Sequence, residues 1–481
     1  MILPRPSGDS ASAPRPALAP PAPPPAADLH AARARVAAGH TSATALLDDA
    51  LARADDASGQ AVFVRRFDAV ARAQAAAVDA LAAAGAPLPE LAGLAVSVKD
   101  LFDVAGQPTT AGSRVLVDAL PAVADAPAVA RLRAAGAALV GHTGMTEFAF
   151  SGVGLNPHHG TPANPATLAL DATPRIPGGS TSGGAASVAL GAAWAALGSD
   201  TGGSLRIPAA LQGLVGFKGT QRRVPRGGCI PLSPTLDTAG AITRSVRDAA
   251  LLDALLAGDA TAPAAVARAP VLARWRLALP TTLMLDALEP AVAAAFELAL
   301  TRLRAAGAVI DEIVLPELDE IAAIHAGGSL AAAESWAWHR VRLAAREADY
   351  DPRVAARVRA GAAMSAADYL DLVAARRDWI VRVEAAVAGF DALLAPTVPM
   401  LAPAIDALAG DAAFFRVNAL LLRNPSAVNF LDGCALSLPC HAPGGWPVGL
   451  MVFAPALADA RVLAIGAAIE SALAAGFARE G

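Results

Sequence analysis

Three observations predict an α/β fold. The apolar run Leu94-Ala-Val-Ser-Val-Lys99 has the length and continuity of a buried strand, one that carries a single ionisable side chain to a sheet edge. Asp125-Ala-Pro-Ala-Val-Ala-Arg-Leu-Arg-Ala-Ala-Gly136 reads as a helix with proline in its first turn, and it runs directly into the apolar segment Ala137-Ala-Leu-Val-Gly141. An uncharged stretch of small residues, Gly183 to Gly198, suits a buried helix between two glycine-serine clusters.

The other elements follow in chain order. Residues 1–28 are rich in proline and alanine, with no cationic start and no apolar core, and read as a disordered or polyproline tail rather than a signal peptide. Leu29 to Leu88 carries helical patterns, Ser42 to Asp55 among them. Ser245-Val-Arg-Asp248 reads as a capping box opening a helix to Ala257. Residues 265–390 alternate helices with one short strand around Ala308 to Val314, and a long helix runs from Ser365 to Gly389 behind its own Ser-x-x-Asp start. No internal repeat stands out.

Composition narrows the function classes. A net charge of −5 supplies no broad cationic surface for nucleic acid, and three cysteines (Cys229, Cys434, Cys440) make no disulfide framework and read as reduced core residues. Gly183 to Gly198 falls short of the roughly 20 apolar residues of a membrane span, and the stretch around Cys434 to Met451 is broken by Pro439, Pro443 and Pro447. His158-His159 stand adjacent rather than at helical ligand spacing, and no metal site is expected. These features read as a cytoplasmic protein without cofactors.

Lysine and arginine together number 38, yet only Lys99 and Lys218 are lysines. Unlike guanidinium, a buried ammonium can be tuned to a neutral base. A mutational bias against lysine would leave the same composition, and a lysine after a strand is commonly a solvated charge or an ion-pair partner. The segment from Arg175 to Pro208 adds a second signal: the clusters Pro177-Gly-Gly-Ser180 and Gly198-Ser-Asp-Thr-Gly-Gly-Ser204 combine serines with backbone turns whose N–H groups can cradle an anion, the requirement of acyl transfer. A P-loop is excluded because no lysine follows these glycines, and a Gly-x-Ser-x-Gly elbow because Ser204 precedes Leu205-Arg206. A flexible linker would not continue into apolar helix-forming sequence.

Val98-Lys99-Asp100, Pro177-Gly-Gly-Ser180 and Gly198-Ser-Asp-Thr-Gly-Gly-Ser204-Leu-Arg-Ile-Pro208 resemble the amidase signature family, including the 24-residue separation of Ser180 and Ser204. Val215-Gly-Phe-Lys218-Gly-Thr220 is similar to that family's Gly-x-Lys-Pro-Thr segment, with Gly219 in place of proline, and Thr181 stands where serine is common. The resemblance is strong from about Leu91 to Arg247 and weaker at Leu394 to Pro399 and Gly445 to Met451. It implies one α/β/α domain over 29–481, a large mixed sheet covered by helices on both faces, with a signature core of about 91–250 and a helical cover region of about 265–390. It also implies a Ser-cisSer-Lys triad. Ser204 is then the nucleophile, Lys99 the base acting through Ser180, and Gly179–Ser180 a cis peptide bond. The N–H groups of Thr201, Gly202, Gly203 and Ser204 form the oxyanion hole, and Asp200 and Arg206 hold that loop in shape.

The expected reaction is hydrolysis of a small carboxamide to acid and ammonia through an acyl-enzyme on Ser204; the alternative is the A-type subunit of a tRNA-dependent amidotransferase. Gly144-Met-Thr-Glu-Phe-Ala-Phe-Ser-Gly152 resembles the family segment lining the acyl pocket, so Met145, Phe148 and Phe150 are candidate substrate-binding residues, and Gly179, in the Ser180 loop, is another. Packing in the core is the other reading of these aromatics. With no arginine assigned to the pocket, uncharged amides are the expected substrates. The expected partner is a small-molecule amide, with no direct nucleic acid or membrane contact and a homodimer as a candidate assembly. Trp336, Trp338, Tyr350 and Tyr369 are candidates to cover the entrance or to form a surface contact.

Overall fold

The computed structural model describes residues 27–259 and 271–480. The proposed tail lies outside them except for its last two residues. Of these, Asp28 caps the helix Leu29–Ala37 by accepting from Ala31 N–H, and it pairs with Arg247.

Among the described residues, eleven strands form one mixed sheet. In chain order they are β1 (Phe63–Arg66), β2 (Ala95–Lys99), β3 (Ala138–Thr143), β4 (Ala195–Asp200), β5 (Val215–Lys218) and β6 (Thr238–Thr243), then β7 (Arg276–Pro280), β8 (Val309–Ile313), β9 (Ala392–Pro396), β10 (Cys434–Pro439) and β11 (Gly449–Ala454). Their order across the sheet is β1-β3-β2-β4-β6-β5-β10-β11-β9-β7-β8. β2 is parallel to β3 and β4, and β7 to β8 and β9, while the remaining pairs, such as β10 with β11, are antiparallel. Successive side chains of a strand point to opposite faces, and along β11 Leu450, Val452 and Ala454 join one apolar cluster while Met451 and Phe453 join another. Both faces are therefore covered. That burial is why the strands read as continuous apolar runs rather than alternating ones.

The helix Asp459–Glu480 is long and apolar enough to cross a membrane by composition. Here Val462, Leu463, Ile465, Ile469 and Leu473 are buried against the strands of one face.

Several local expectations change. Gly183 to Gly198 is not one helix: Ser182–Leu190 is helical, Gly191 ends it in the left-handed conformation (φ 83°), and the chain then enters β4. Small residues are required on both sides of that joint, because a Cβ at Gly198 would lie 2.7 Å from Thr181 Cγ2. β2 is an interior strand, so Lys99 emerges at a strand end rather than at a lateral edge of the sheet. Ser245 caps Val246–Ala257 as expected, but the Asp248 carboxylate accepts from Leu29 N–H (2.8 Å) instead of closing the box. The helix Ala366–Val387 does carry a full Ser365–Asp368 capping box. β1, β5, β6, β7, β9, β10 and β11 were not expected: each is a run of four to six residues, too short for its periodicity to be told from that of a buried helix segment.

Candidate active site

Lys99 is completely buried at the end of β2, and its Nζ donates to Ser180 Oγ and to Ser199 Oγ, both at 2.8 Å. Burial drives its pKa down to about 7, against the opposing pull of Cys229, Asp200 and Asp237. Near neutral pH a substantial fraction is therefore the free amine.

Ser180 follows a cis Gly179–Ser180 peptide bond. A Cβ at position 179 would lie 2.6 Å from Gly154 N and 2.8 Å from Thr146 Oγ1, so glycine is needed for close backbone approach. Thr181 N–H donates to Ser204 O at 3.3 Å, which joins the two serine loops through their backbones. Ser204 itself is 3% exposed, and its side chain has no hydrogen-bond partner among the described residues.

The loop bearing Ser204 is wrapped around the Asp200 carboxylate. Asp200 accepts from Gly203 N–H (2.8 Å), Leu205 N–H (3.1 Å), Asn429 Nδ2 (2.9 Å) and both Nε and Nη2 of the buried Arg206 (3.0 Å each). Burial alone would raise this carboxyl, yet Arg206, Lys218 and Asn429 hold it well below the usual carboxylate range. This corrects the oxyanion assignment at one position. Gly203 N–H is committed to Asp200, whereas those of Thr201, Gly202 and Ser204 have no partner among the described residues. From the other side, Thr201 Oγ1 donates to Asp237 Oδ1 at 2.6 Å.

Ser204, Thr201 and Gly202 open onto a cavity of about 230 Å³. Its walls are mainly apolar, with Phe150, Leu232, Leu236, Leu330, Leu422 and Phe430, and one charged side chain reaches it, Arg357. Phe150 therefore lines the cavity as expected. Met145, Phe148 and Gly179 do not. Met145 is buried in the core, and the Phe148 ring is enclosed by Trp338, His339 and Tyr350 at centroid distances of 5.7, 4.4 and 5.5 Å. The reason lies in the backbone: Phe148 (φ 49°) and Ala149 (φ 61°) are left-handed, and this tight reversal sends adjacent aromatics to different places. The cover region contributes His325, Ser329, Leu330, Ala331 and Arg357, whereas Trp338 and Tyr350 pack on Phe148 and Tyr369 hydrogen-bonds Glu334.

Sequence reasoning missed Ser199, Asp237 and Arg357. Ser199 reaches Lys99 because β4 runs parallel to β2 with Val98 opposite Leu197, a pairing that reading Gly183 to Gly198 as a helix concealed. Arg357 had no sequence signal, because it stands in an arginine-rich helix, Pro352–Arg359, far from every motif. Its Nη1 donates to Phe150 O (2.7 Å), its guanidinium stacks over the Phe150 ring at 4.4 Å, and no carboxylate among the described residues pairs with it. Burial lowers its pKa to about 10.

The fold and this lysine-serine centre define an amide-hydrolysing enzyme class. The family described as Amidase matches residues 45–463, and the chain belongs to it, a hydrolase acting on carbon–nitrogen bonds. The chain is 39% identical over 416 residues to 2-amino-5-chloromuconic acid deaminase of Comamonas testosteroni, covering 85% of this chain and 87% of that protein. It is 36% identical over 437 residues to the A-type subunit of the glutamyl-tRNA(Gln) amidotransferase of Salinispora arenicola, covering 83% and 87%. Among solved structures, one described as an amidase superposes with a TM-score of 0.81 at 35% identity, covering 92% of this chain and 99% of that one.

Proposed function

We propose that this chain is a stand-alone amidohydrolase whose substrate is a small amide carrying a carboxylate, and that the product nitrogen leaves as ammonia. The observation that carries this reading is Arg357, a cation with no acidic partner among the described residues, in a mainly apolar cavity that also holds Ser204. An uncompensated charge in such a site is costly unless a ligand neutralises it, and guanidinium matches carboxylate bidentately. The relative from Comamonas, named for an acid it deaminates, supports the same class. The presence of Arg357 removes the reason for expecting uncharged substrates.

In the proposed reaction neutral Lys99 takes the proton of Ser180 as Ser180 takes that of Ser204. The Ser204 oxygen bonds to the amide carbon, and the N–H groups of Thr201, Gly202 and Ser204 receive the oxyanion. The proton returns to nitrogen, the C–N bond breaks and ammonia departs. Water then adds to the ester by the same proton path, releasing the acid and restoring Ser204.

The second reading, one component of an amidotransferase, has the Salinispora similarity behind it. Ammonia release by the purified chain alone, measured on the ω-carboxy amides succinamate and glutaramate beside pentanamide, tests the proposal. The acid-bearing amides should have the higher kcat/KM. Preference for pentanamide would overturn the substrate class, and ammonia release from glutamine only with added partner subunits would replace the reading with the second.

A further inference from the structure

We infer that Glu147 is a positioning residue that aims Arg357 into the cavity and thereby sets the preference for acid-bearing amides; this rests on the reading of Arg357 as the carboxylate receptor. Glu147 is fully buried and does not line the cavity. Its Oε1 accepts from Ser113 Oγ (2.6 Å) and lies 3.0 Å from His158 Nε2, while its Oε2 accepts from Asp351 N–H (2.8 Å). Asp351 is the N-cap of the helix that carries Arg357, accepting from Arg353 N–H at 2.9 Å.

The chain is thus closed into a loop of contacts. Glu147 holds the start of the helix Pro352–Arg359, and from the last turn of that helix Arg357 returns to the carbonyl of Phe150, three residues beyond Glu147. The left-handed residues Phe148 and Ala149 let one short segment face both ways, Glu147 toward the helix start and Phe150 toward the cavity. With no carboxylate partner among the described residues, Arg357 is not oriented by an ion pair. Its direction is set by where its helix begins and by the Phe150 carbonyl; the Glu147 carboxylate holds the first through Asp351 N–H, and the Glu147 backbone carbonyl accepts from Phe150 N–H at 3.1 Å. A buried acceptor with three partners has little freedom to relax, so the arrangement is stiff.

Burial raises the Glu147 pKa to about 7 in spite of its bonds from Ser113 and Asp351. The groups facing it are Ser113, His158, Tyr350 and Asp351. Protonation converts one acceptor oxygen into a donor and weakens the clamp. Selectivity for acids should therefore fall as pH drops below 7. Because Lys99 titrates in the same range, the informative quantity is the ratio of kcat/KM for succinamate to that for pentanamide, in which a shared base cancels.

The test compares that ratio in the full chain, Glu147→Gln, Ser113→Ala and Arg357→Met, and in the Glu147→Gln/Arg357→Met pair. Glu147→Gln should lower the ratio about tenfold, with kcat for pentanamide nearly unchanged, and the double variant should match Arg357→Met alone, as coupled residues do. Ser113→Ala, a milder change, should shift the ratio in the same direction by about threefold and serves if Glu147→Gln does not fold. Equal losses on both amides, an unchanged ratio in both Glu147→Gln and Ser113→Ala, or additive effects in the double variant would overturn the inference. An unchanged ratio in Arg357→Met would instead overturn the substrate reading on which it rests.

Discussion

The cavity has two walls of different construction. The wall bearing Ser204 is made where β2 and β4 end, with the backbone of the Ser204 loop bonded to Asp200, and its candidate chemistry-bearing residues fall within three short stretches of chain, at Lys99, at Ser180 and from Ser199 to Ser204. The wall bearing Arg357 is made from a left-handed turn after β3 and a short helix some 200 residues further on, joined by single hydrogen bonds. The contrast teaches that bond-making parts need fixed mutual geometry and are held by a rigid sheet, whereas recognition parts can be carried by elements that vary independently.

The two lysines show the same division within the sheet. Both are completely buried, and burial lowers Lys99 to about 7 and Lys218 to about 8. Lys218 Nζ is tied to the carbonyls of Gly219 (3.0 Å) and Gly433 (2.5 Å), which can only accept, so it fastens β5 to the turn before β10. Lys99 faces hydroxyls, which can pass a proton on. Burial by itself does not distinguish the two lysines; the partner chemistry does.

The sharpest way to break the comparison is at Ser204. Ser204→Ala should reduce turnover by a factor on the order of 10⁴ or more while leaving the melting temperature and the affinity for acid-bearing amides nearly unchanged. Comparable loss of binding would show that the two walls are not separable, and fluorophosphonate labelling of a different serine would move the nucleophile.

Next in size is Lys99. Lys99→Arg keeps the charge but cannot become a neutral acceptor, so kcat should fall by about 10³, close to the loss for Lys99→Met. In the unmodified chain the amine is protonated below its pKa, so activity should rise with pH through a limb near pH 7 and not fall there. A profile flat from pH 5.5 to 8.5, or rescue by arginine, would point to a purely electrostatic lysine.

The smallest expected effect on catalysis is at Phe148. Its ring packs among Trp338, His339 and Tyr350 outside the cavity, so Phe148→Ala should cost about 3 to 5 kcal/mol of stability by leaving a void. The ranking of short and bulky amides should stay the same. A selective penalty on bulky amides, measured beside urea denaturation, would return Phe148 to the substrate wall.

Much of the architecture could be read in advance because it is locally encoded. Ser365 and Asp368 close a capping box, Pro127 opens a helix, and the buried runs at 95–99 and 138–143 are strands. Where reading failed, a local pattern had two solutions. The small-residue segment after Ser180 fits a helix throughout, and Gly191 alone ends it in favour of β4. Gly203 lies within the expected anion-binding turn, but the tertiary position of Asp200 takes its N–H. Phe148 and Phe150 are indistinguishable by type and spacing, and two positive φ angles separate the core ring from the cavity ring.

By itself the sequence marked Lys99, Ser180 and Ser204 as the candidate chemistry-bearing residues, with the glycines that allow close backbone approach between their loops and the apolar strands that bury them. These depend on residue type and short-range backbone preference, which a chain carries wherever it is placed. Only the tertiary structure decided which N–H groups of the turn from Thr201 to Ser204 remain without a partner among the described residues, which aromatic lines the cavity, and that an arginine from a remote helix lines the same cavity as Ser204. Those outcomes depend on contacts between segments far apart in the chain, and no local periodicity or composition encodes the direction in which such segments meet.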